Sequence, residues 1–360
     1  MKKVGILTIP RADNYGSVLQ AFAMQQFLDS FDIDNEIIDY VSPFLIGRYP
    51  LILIEKDSFK SVIKSFIRSI LVLGFSICKK KRFCSFRENI RFSQKTIYKS
   101  SDISEYDYYV VGSDQIWNTR ITGADTTFFL DFVNDKKKKI AFAVSMGFQD
   151  RKTEEIRFYQ KYLPSFSSIG VRENVDLEFV KTNADTNTHC EYIIDPTILI
   201  NEKLWIDLIG SRIIKENYIF VYSFGRDERI VSTAKTLASQ LGLKVYIIGD
   251  SWRKKNKDGF IYLKGTGPIQ FLNYIAFADH IVTNSFHGTV FSVIFRKQVT
   301  SVPYPNTGNR MISFLELLSL NEAIYSDSAA TNHLDYSKCS FSISEEREKA
   351  KRFLKEALGI

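Results

Sequence analysis

The sequence predicts an α/β protein built as two Rossmann-like domains that face each other across a cleft. Three observations carry this. Short apolar runs alternate with amphipathic stretches from end to end, the rhythm of βαβ units and parallel sheets. At 360 residues the chain is long for a single core. The rhythm also pauses at residues 209–216, a linker-like stretch, and then restarts. The expected division is a first domain over residues 1–208 and a second over residues 217–340. A charged helix at 341–360, with Phe353, Leu354, Ala357 and Leu358 on one side, would pack back across the junction.

Residues 4–9 read as the first strand. Residues 18–28 form a helix whose Val18, Leu19, Phe22, Ala23, Phe27 and Leu28 make one apolar stripe. A strand at 36–41 follows, then a basic helical insert over about residues 58–95. Its most apolar part, 63–78, is interrupted by Lys64 and Arg68, and the uncharged remainder is too short to span a bilayer. It either packs over the first domain with the run Lys79-Lys80-Lys81-Arg82 in water, or lies on an anionic membrane surface. Strands resume at 108–111, 140–144, 168–172 and 192–194. In the second domain, strands at 218–222, 244–248, 259–263, 280–283 and 298–302 alternate with helices at 228–241, 268–277 and 311–318. Pro268 opens its helix, where the missing N–H costs nothing.

Hydrophobic residues at 45% and charged residues at 25% describe an ordinary globular chain. The first residues, MKKVGILTIPRADNYG, carry an apolar run broken by Pro10, Arg11 and Asp13, so they read as a strand and not a signal peptide. Cys78, Cys84, Cys190 and Cys339 lack metal-like spacing and are expected as reduced thiols of a cytoplasmic protein. No metal is expected; Asp32-Ile33-Asp34 resembles a solvated turn. The net charge of +7 comes from local runs at 79–82, 136–139 and 253–255. No nucleic-acid fold signature accompanies them, so nucleic acid is not an expected partner.

The chemistry concentrates where strands end. Residues 282–290, VTNSFHGTV, place His287 in a turn between a strand and an apolar helix. The imidazole there either caps the helix or serves as an acid/base group beside N–H groups that attract anions. The turn at Asn14-Tyr15-Gly16-Ser17 is not a G-x-G-x-x-G fingerprint, which argues against a dinucleotide. Capping accounts for Asn14, Gly16 and Ser17, whereas Tyr15 and Gln20 are candidates to face the cleft. Gly112-Ser113-Asp114-Gln115-Ile116-Trp117-Asn118 is an inventory for sugar hydroxyls, with Trp117 either a platform or core. Arg172 in Val171-Arg172-Glu173-Asn174 is either a surface ion pair or an anion clamp. Asp195-Pro196-Thr197 mainly indicates a turn.

Taken together, NYG at 14–16, VVGSDQIWN at 110–118, VREN at 171–174, DPT at 195–197 and SFHGT at 285–289 resemble the polysaccharide pyruvyl transferase family in order and spacing. The resemblance implies a fold like that of two-domain GT-B glycosyltransferases. It also implies phosphoenolpyruvate as donor, with no further cofactor, and a saccharide acceptor that receives pyruvate as a ketal. The catalytic group is then His287. Arg172, Ser285, Gly288, Thr289 and Arg310 are the candidate donor ligands, and Asn14, Tyr15, Ser113, Asp114 and Gln115 the acceptor ligands. One position departs from the family pattern: where R-x-H-G is common, Ser285 stands for the arginine, and Arg310 is the expected substitute. A lipid-linked acceptor would bring the protein to the inner face of the membrane. A GT-B-like glycosyltransferase using a nucleotide sugar, and a non-catalytic saccharide-binding relative, remain the alternatives.

Overall fold

The computed structural model describes residues 2–45, 59–249, 258–304, 308–326 and 333–360; the basic run at 253–255 lies outside them. The described chain begins with β1 (Lys3–Leu7), α1 (Tyr15–Asp29), β2 (Asp34–Ile37), α2 (Phe59–Arg87), β3 (Tyr108–Val111) and α3 (Thr119–Thr122). It continues with β4 (Lys139–Val144), α4 (Thr153–Tyr162), β5 (Ser168–Val171), α5 (Asn174–Asn183) and β6 (His189–Tyr192). Two helices, α6 (Pro196–Leu199) and α7 (Glu202–Ile209), lead to β7 (Tyr218–Ser223), α8 (Glu228–Leu241), β8 (Lys244–Gly249) and β9 (Ile261–Tyr262). Then come α9 (Pro268–Ala276), β10 (His280–Thr283), α10 (Phe286–Ile294), β11 (Gln298–Ser301), α11 (Asn309–Leu317) and α12 (Cys339–Leu358).

Two parallel sheets result, ordered β2-β1-β3-β4-β5-β6 and β11-β10-β7-β8-β9. Each reverses direction beside its first strand, between β1 and β3 and between β7 and β10, and open α/β sheets bind ligands at such switch points. Register carries Leu7 opposite Val111 and Tyr222 opposite Thr283, so the loops after β3 and β10 start level with their neighbours. Strands β4, β7 and β10 are buried along their whole length, as expected of strands covered on both faces.

Most strands fall where the apolar runs place them, but β6 lies earlier than 192–194, because Ile193 and Ile194 continue into the turn before α6. The larger correction concerns α1. It is not striped: Tyr15 through Gln25 are all buried, Gln20 and Gln25 included. The reason is its position, with β2 on one side and α6 and α9 on the other. One apolar core therefore runs through both halves. Tyr15 stacks on Phe271 with ring centres 4.5 Å apart, and Trp205 lies 5.5 Å from Phe22 and 5.1 Å from Phe291.

Two further elements join the halves. At the end of α2, Arg87 donates to the carbonyls of Pro10, Arg11 and Ala12 and pairs with Asp13, while Arg82 donates to the Gly265 carbonyl at 2.8 Å. The basic end of the insert thus packs on the protein. No helix among the described residues is long and apolar enough to cross a membrane. Helix α12 sets Phe353 against Phe142 of the first sheet and Cys339 against the Leu318 carbonyl of the second half.

Candidate functional site

The turn after β10 is built by its own side chains. Thr283 donates its hydroxyl to the Tyr222 carbonyl at 2.7 Å and accepts the Ser285 N–H at 3.0 Å. Ser285 caps α10: its hydroxyl accepts from the Gly288 N–H at 3.3 Å and its carbonyl from the Thr289 N–H at 3.0 Å. A Cβ at position 288 would overlap the Thr283 hydroxyl. The Thr289 hydroxyl pairs with that of Ser301 at 2.8 Å. The expectation that Gly288 and Thr289 bind an anion is therefore corrected, since their N–H groups already serve the cap. What the turn delivers to the wall of a cavity between the sheets is Ser285, Phe286 and His287.

Behind His287 stands a buried charge cluster. The imidazole Nε2 has no solvent access and lies 3.4 Å from Asp195 Oδ2. Asp195 is fully buried at the N-cap of α6; its Oδ1 accepts from the Thr197 N–H at 3.0 Å and the Thr197 hydroxyl at 2.7 Å. The same Oδ2 accepts from Arg172 Nη1 at 2.6 Å. Burial pushes the Asp195 carboxyl up, but His287, Arg172 and Thr197 outweigh it and hold it far below the usual carboxylate range. Arg172 is itself 1% exposed and also faces Asp114 at 3.5 Å and Glu173 at 3.6 Å. Burial opposes its charge, yet the three carboxylates raise its pKa above the ordinary arginine value. Arg172 does not line the cavity, so it is a counter-ion rather than the expected donor clamp.

The cavity has a volume of about 630 Å³. Its lining includes Asn14, Gly16, Ser17, Asp114, Gln115, Ser285, His287 and Arg310, together with Ile9, Tyr40, Leu45, Ile121 and Phe128. Gly16 must lack a side chain, because a Cβ would overlap the imidazole at Nδ1. Asp114 adopts a left-handed backbone, φ 65°, and its carboxylate accepts from the Ser17 hydroxyl at 2.8 Å. Burial pushes that carboxyl up, but Arg172, His287, Ser17 and Arg310 together hold it low.

Arg310 is a cation of this cavity that holds no ion pair among the described residues. Among the described residues no carboxylate lies within 4.0 Å of it, and its guanidinium packs 5.6 Å from the Phe286 ring centre, a ring Arg172 approaches at 4.7 Å. Burial, and then the neighbouring Arg172, lower its pKa from the arginine value. The Gln115 amide sits between Asn118 Nδ2 at 2.8 Å and this guanidinium; with its oxygen toward Arg310 it accepts from Nη2 at 2.9 Å.

Of the expected acceptor residues, Asn14, Asp114 and Gln115 reach the cavity, and Tyr15 and Ser113 do not. Tyr15 donates to the Thr266 carbonyl at 3.1 Å within the shared core. Ser113 is fully buried, its hydroxyl donating to the Ala143 carbonyl at 2.9 Å and its N–H to Gln20 Oε1 at 3.1 Å. Trp117 is core, its indole bonded to the Phe128 carbonyl at 2.9 Å, and Gln20 binds Thr8 and Ser17 instead of facing the cleft. Sequence reasoning missed Asp195, for which an Asp-Pro-Thr cap after a strand was the signal. It also missed Arg11, Lys80 and Arg87, which line the cavity from the first loop and α2. No group of His, Cys, Asp and Glu suited to a metal occurs among the described residues.

A family model described as polysaccharide pyruvyl transferase matches residues 14–306. No curated protein matches the sequence. Among solved structures, UDP-N-acetylglucosamine 2-epimerase from Rickettsia bellii is similar with a TM-score of 0.50 at 7% identity, covering 100% of this chain and 97% of that one. The Neisseria meningitidis enzyme bound to UDP-GlcNAc gives 0.49 at 9% identity over 99% of this chain and 94% of that chain. The Methanocaldococcus jannaschii enzyme gives 0.49 at 12% identity over 99% and 100%. Likeness at such identities concerns the fold alone, here the two-domain GT-B type.

Proposed function

The chain belongs to the polysaccharide pyruvyl transferase family, and from that premise we propose that it transfers pyruvate from phosphoenolpyruvate to two hydroxyls of a saccharide as a ketal. The observation that carries this reading is the pairing, in one cavity, of His287 with an arginine that has no carboxylate of its own, Arg310.

The enol phosphate of the donor becomes electrophilic at its central carbon once a proton reaches the methylene carbon. His287 supplies that proton, and the first sugar hydroxyl attacks the oxocarbenium centre, returning its own proton to the imidazole. The second hydroxyl forms the second C–O bond as the C–O bond to phosphate breaks; its proton leaves with the phosphate. Arg310 balances donor charge through the loss of phosphate and takes the part of the arginine that Ser285 replaces. Asp114, Gln115 and Asn14 present acceptors and donors to the sugar. Because this donor is a cytoplasmic metabolite, the reaction belongs in the cytoplasm.

The test compares donors directly. Phosphoenolpyruvate at a hundred times its Kd should add about 2.7 kcal/mol of stability, and phosphate should appear only when a suitable saccharide is present. Stabilisation and turnover by a nucleotide sugar instead, with no pyruvylated product by mass spectrometry, would replace this reading with glycosyl transfer. Saccharide binding without turnover of either donor would indicate a binding protein.

A further inference from the structure

We infer that Asp195, backed by Arg172, holds the proton of neutral His287 on Nε2, so that the nitrogen exchanging protons with substrate is Nδ1. This rests on the acid/base role proposed above for His287, and adds which atom acts and what orients it.

Donors converge on one carboxylate. Asp195 Oδ1 is filled by the Thr197 N–H and hydroxyl and Oδ2 takes Arg172 Nη1 at 2.6 Å, while His287 Nε2 faces Oδ2 from 3.4 Å, at ion-pair rather than hydrogen-bond distance. A carboxylate so surrounded stays ionised and is an acceptor only. The nitrogen facing it must then carry a hydrogen. Nε2 has no solvent access, so no substrate atom reaches it. The opposite edge of the ring, Nδ1 and Cε1, passes over the bare Cα of Gly16 at the cavity wall, where any side chain would overlap it. The proton cycle follows. Nδ1–H of the imidazolium goes to the methylene carbon of the donor. The lone pair left on Nδ1 takes the proton of the attacking hydroxyl. Nε2–H points to Asp195 throughout. Asp195 touches no substrate and is a positioning residue.

The alternative is that Asp195 merely caps α6 and neutralises Arg172. Long-range ¹H–¹⁵N spectra of histidine-labelled protein separate the two, and with four histidines in the chain His287→Gln assigns the signal by subtraction. In the wild-type protein, neutral His287 should be protonated on Nε2. Asp195→Asn keeps the helix cap, since asparagine caps as well as aspartate, but turns an amide N–H toward the ring; the proton should move to Nδ1. Turnover should then fall by roughly 10⁴-fold, the cost of a wrong tautomer in a serine-protease triad. Thr197→Val, which takes one donor from Oδ1 and leaves Arg172 on Oδ2, should leave the proton on Nε2. A wild-type spectrum with the proton on Nδ1 overturns the inference without need of any variant, as does a tautomer unmoved by Asp195→Asn. If the tautomer is as inferred but phosphoenolpyruvate is not consumed, only the donor assignment fails.

Discussion

Two buried clusters of arginine and carboxylate, one around Asp195 and one around Asp176, treat their carboxylates in opposite ways. Asp195 is surrounded by Arg172, Thr197 and His287, and its carboxyl is held far below the usual range despite complete burial. Asp176, at the start of α5, is as deeply buried and accepts from Arg151. Yet its carboxyl is pushed up to about 7, by burial first and then by the adjacent Glu173, whose oxygens have no hydrogen-bond partner among the described residues. Both clusters hold an arginine, so the presence of a cation does not decide the outcome. The other neighbours do: Glu173 raises Asp176, whereas His287 and Thr197 join Arg172 in holding Asp195 down. The cluster behind His287 keeps its charge permanently; its neighbour keeps a proton until near neutrality.

If that contrast is functional, removing the imidazole should affect chemistry and little else. His287→Ala should lower turnover by roughly 10²–10⁴-fold, while Arg172 and Thr197 keep Asp195 ionised and the fold intact. Stability lost in proportion to activity, measured by urea unfolding, would mean that His287 is structural.

The arginines sharpen the comparison. Arg172→Met leaves Asp195, Asp114 and Glu173 without their shared cation, and breaking a buried pair this way costs about 3–5 kcal/mol. Arg151→Met should cost distinctly less at pH 6, because Asp176 already carries a proton there and is not left as an unpaired charge. Equal losses in urea unfolding would show that the clusters do not differ. Arg310, free of carboxylates, should behave unlike both. Arg310→Met should raise the donor KM roughly 10- to 100-fold, the value of a hydrogen bond to a charged group, with unfolding unchanged. An unaltered KM would remove Arg310 from the donor site.

Which parts of this were legible in the sequence follows from locality. Strands β4, β7 and β10 are continuous apolar runs, and the loops at their ends are where the sheet order makes them matter. Asp114, Gln115 and His287 could be placed at strand ends from pattern alone. Ser113 and Trp117, in the same loop as Asp114, could not be sorted, because a left-handed turn at Asp114 decides which side chains enter the core. Tyr15 was misplaced because its partner Phe271 belongs to the other half of the chain. Asp195 escaped for the same reason: a cap is a local signal, but its second oxygen serves an arginine and a histidine from two other segments.

The smallest expected effect sets Asp176 against a group in the second sheet. His280, on β10, bonds Thr300 at 2.9 Å, and burial lowers its pKa to about 4. Asp176 binds a proton in the folded protein up to about pH 7, but its unfolded counterpart releases it near the ordinary 3.8. Its contribution to stability is present in acid and is lost as pH rises toward 7. His280 runs the other way: its folded form resists protonation, so stability is present above about 6.5 and is lost as pH falls toward 4. Each one-proton difference is worth at most about 1.4 kcal/mol per pH unit. Between about pH 4.5 and 6.5 the two slopes oppose each other and nearly cancel. Asp176→Asn removes one of them while keeping an acceptor for Arg151. The variant should therefore lose stability on acidification across that window, where the wild-type protein stays nearly flat. Glu173→Gln, which removes the second cause of the Asp176 shift, should give an intermediate slope. Thermal unfolding at half-unit pH steps reads both, and a wild-type slope in Asp176→Asn would show that Asp176 carries no proton near neutrality.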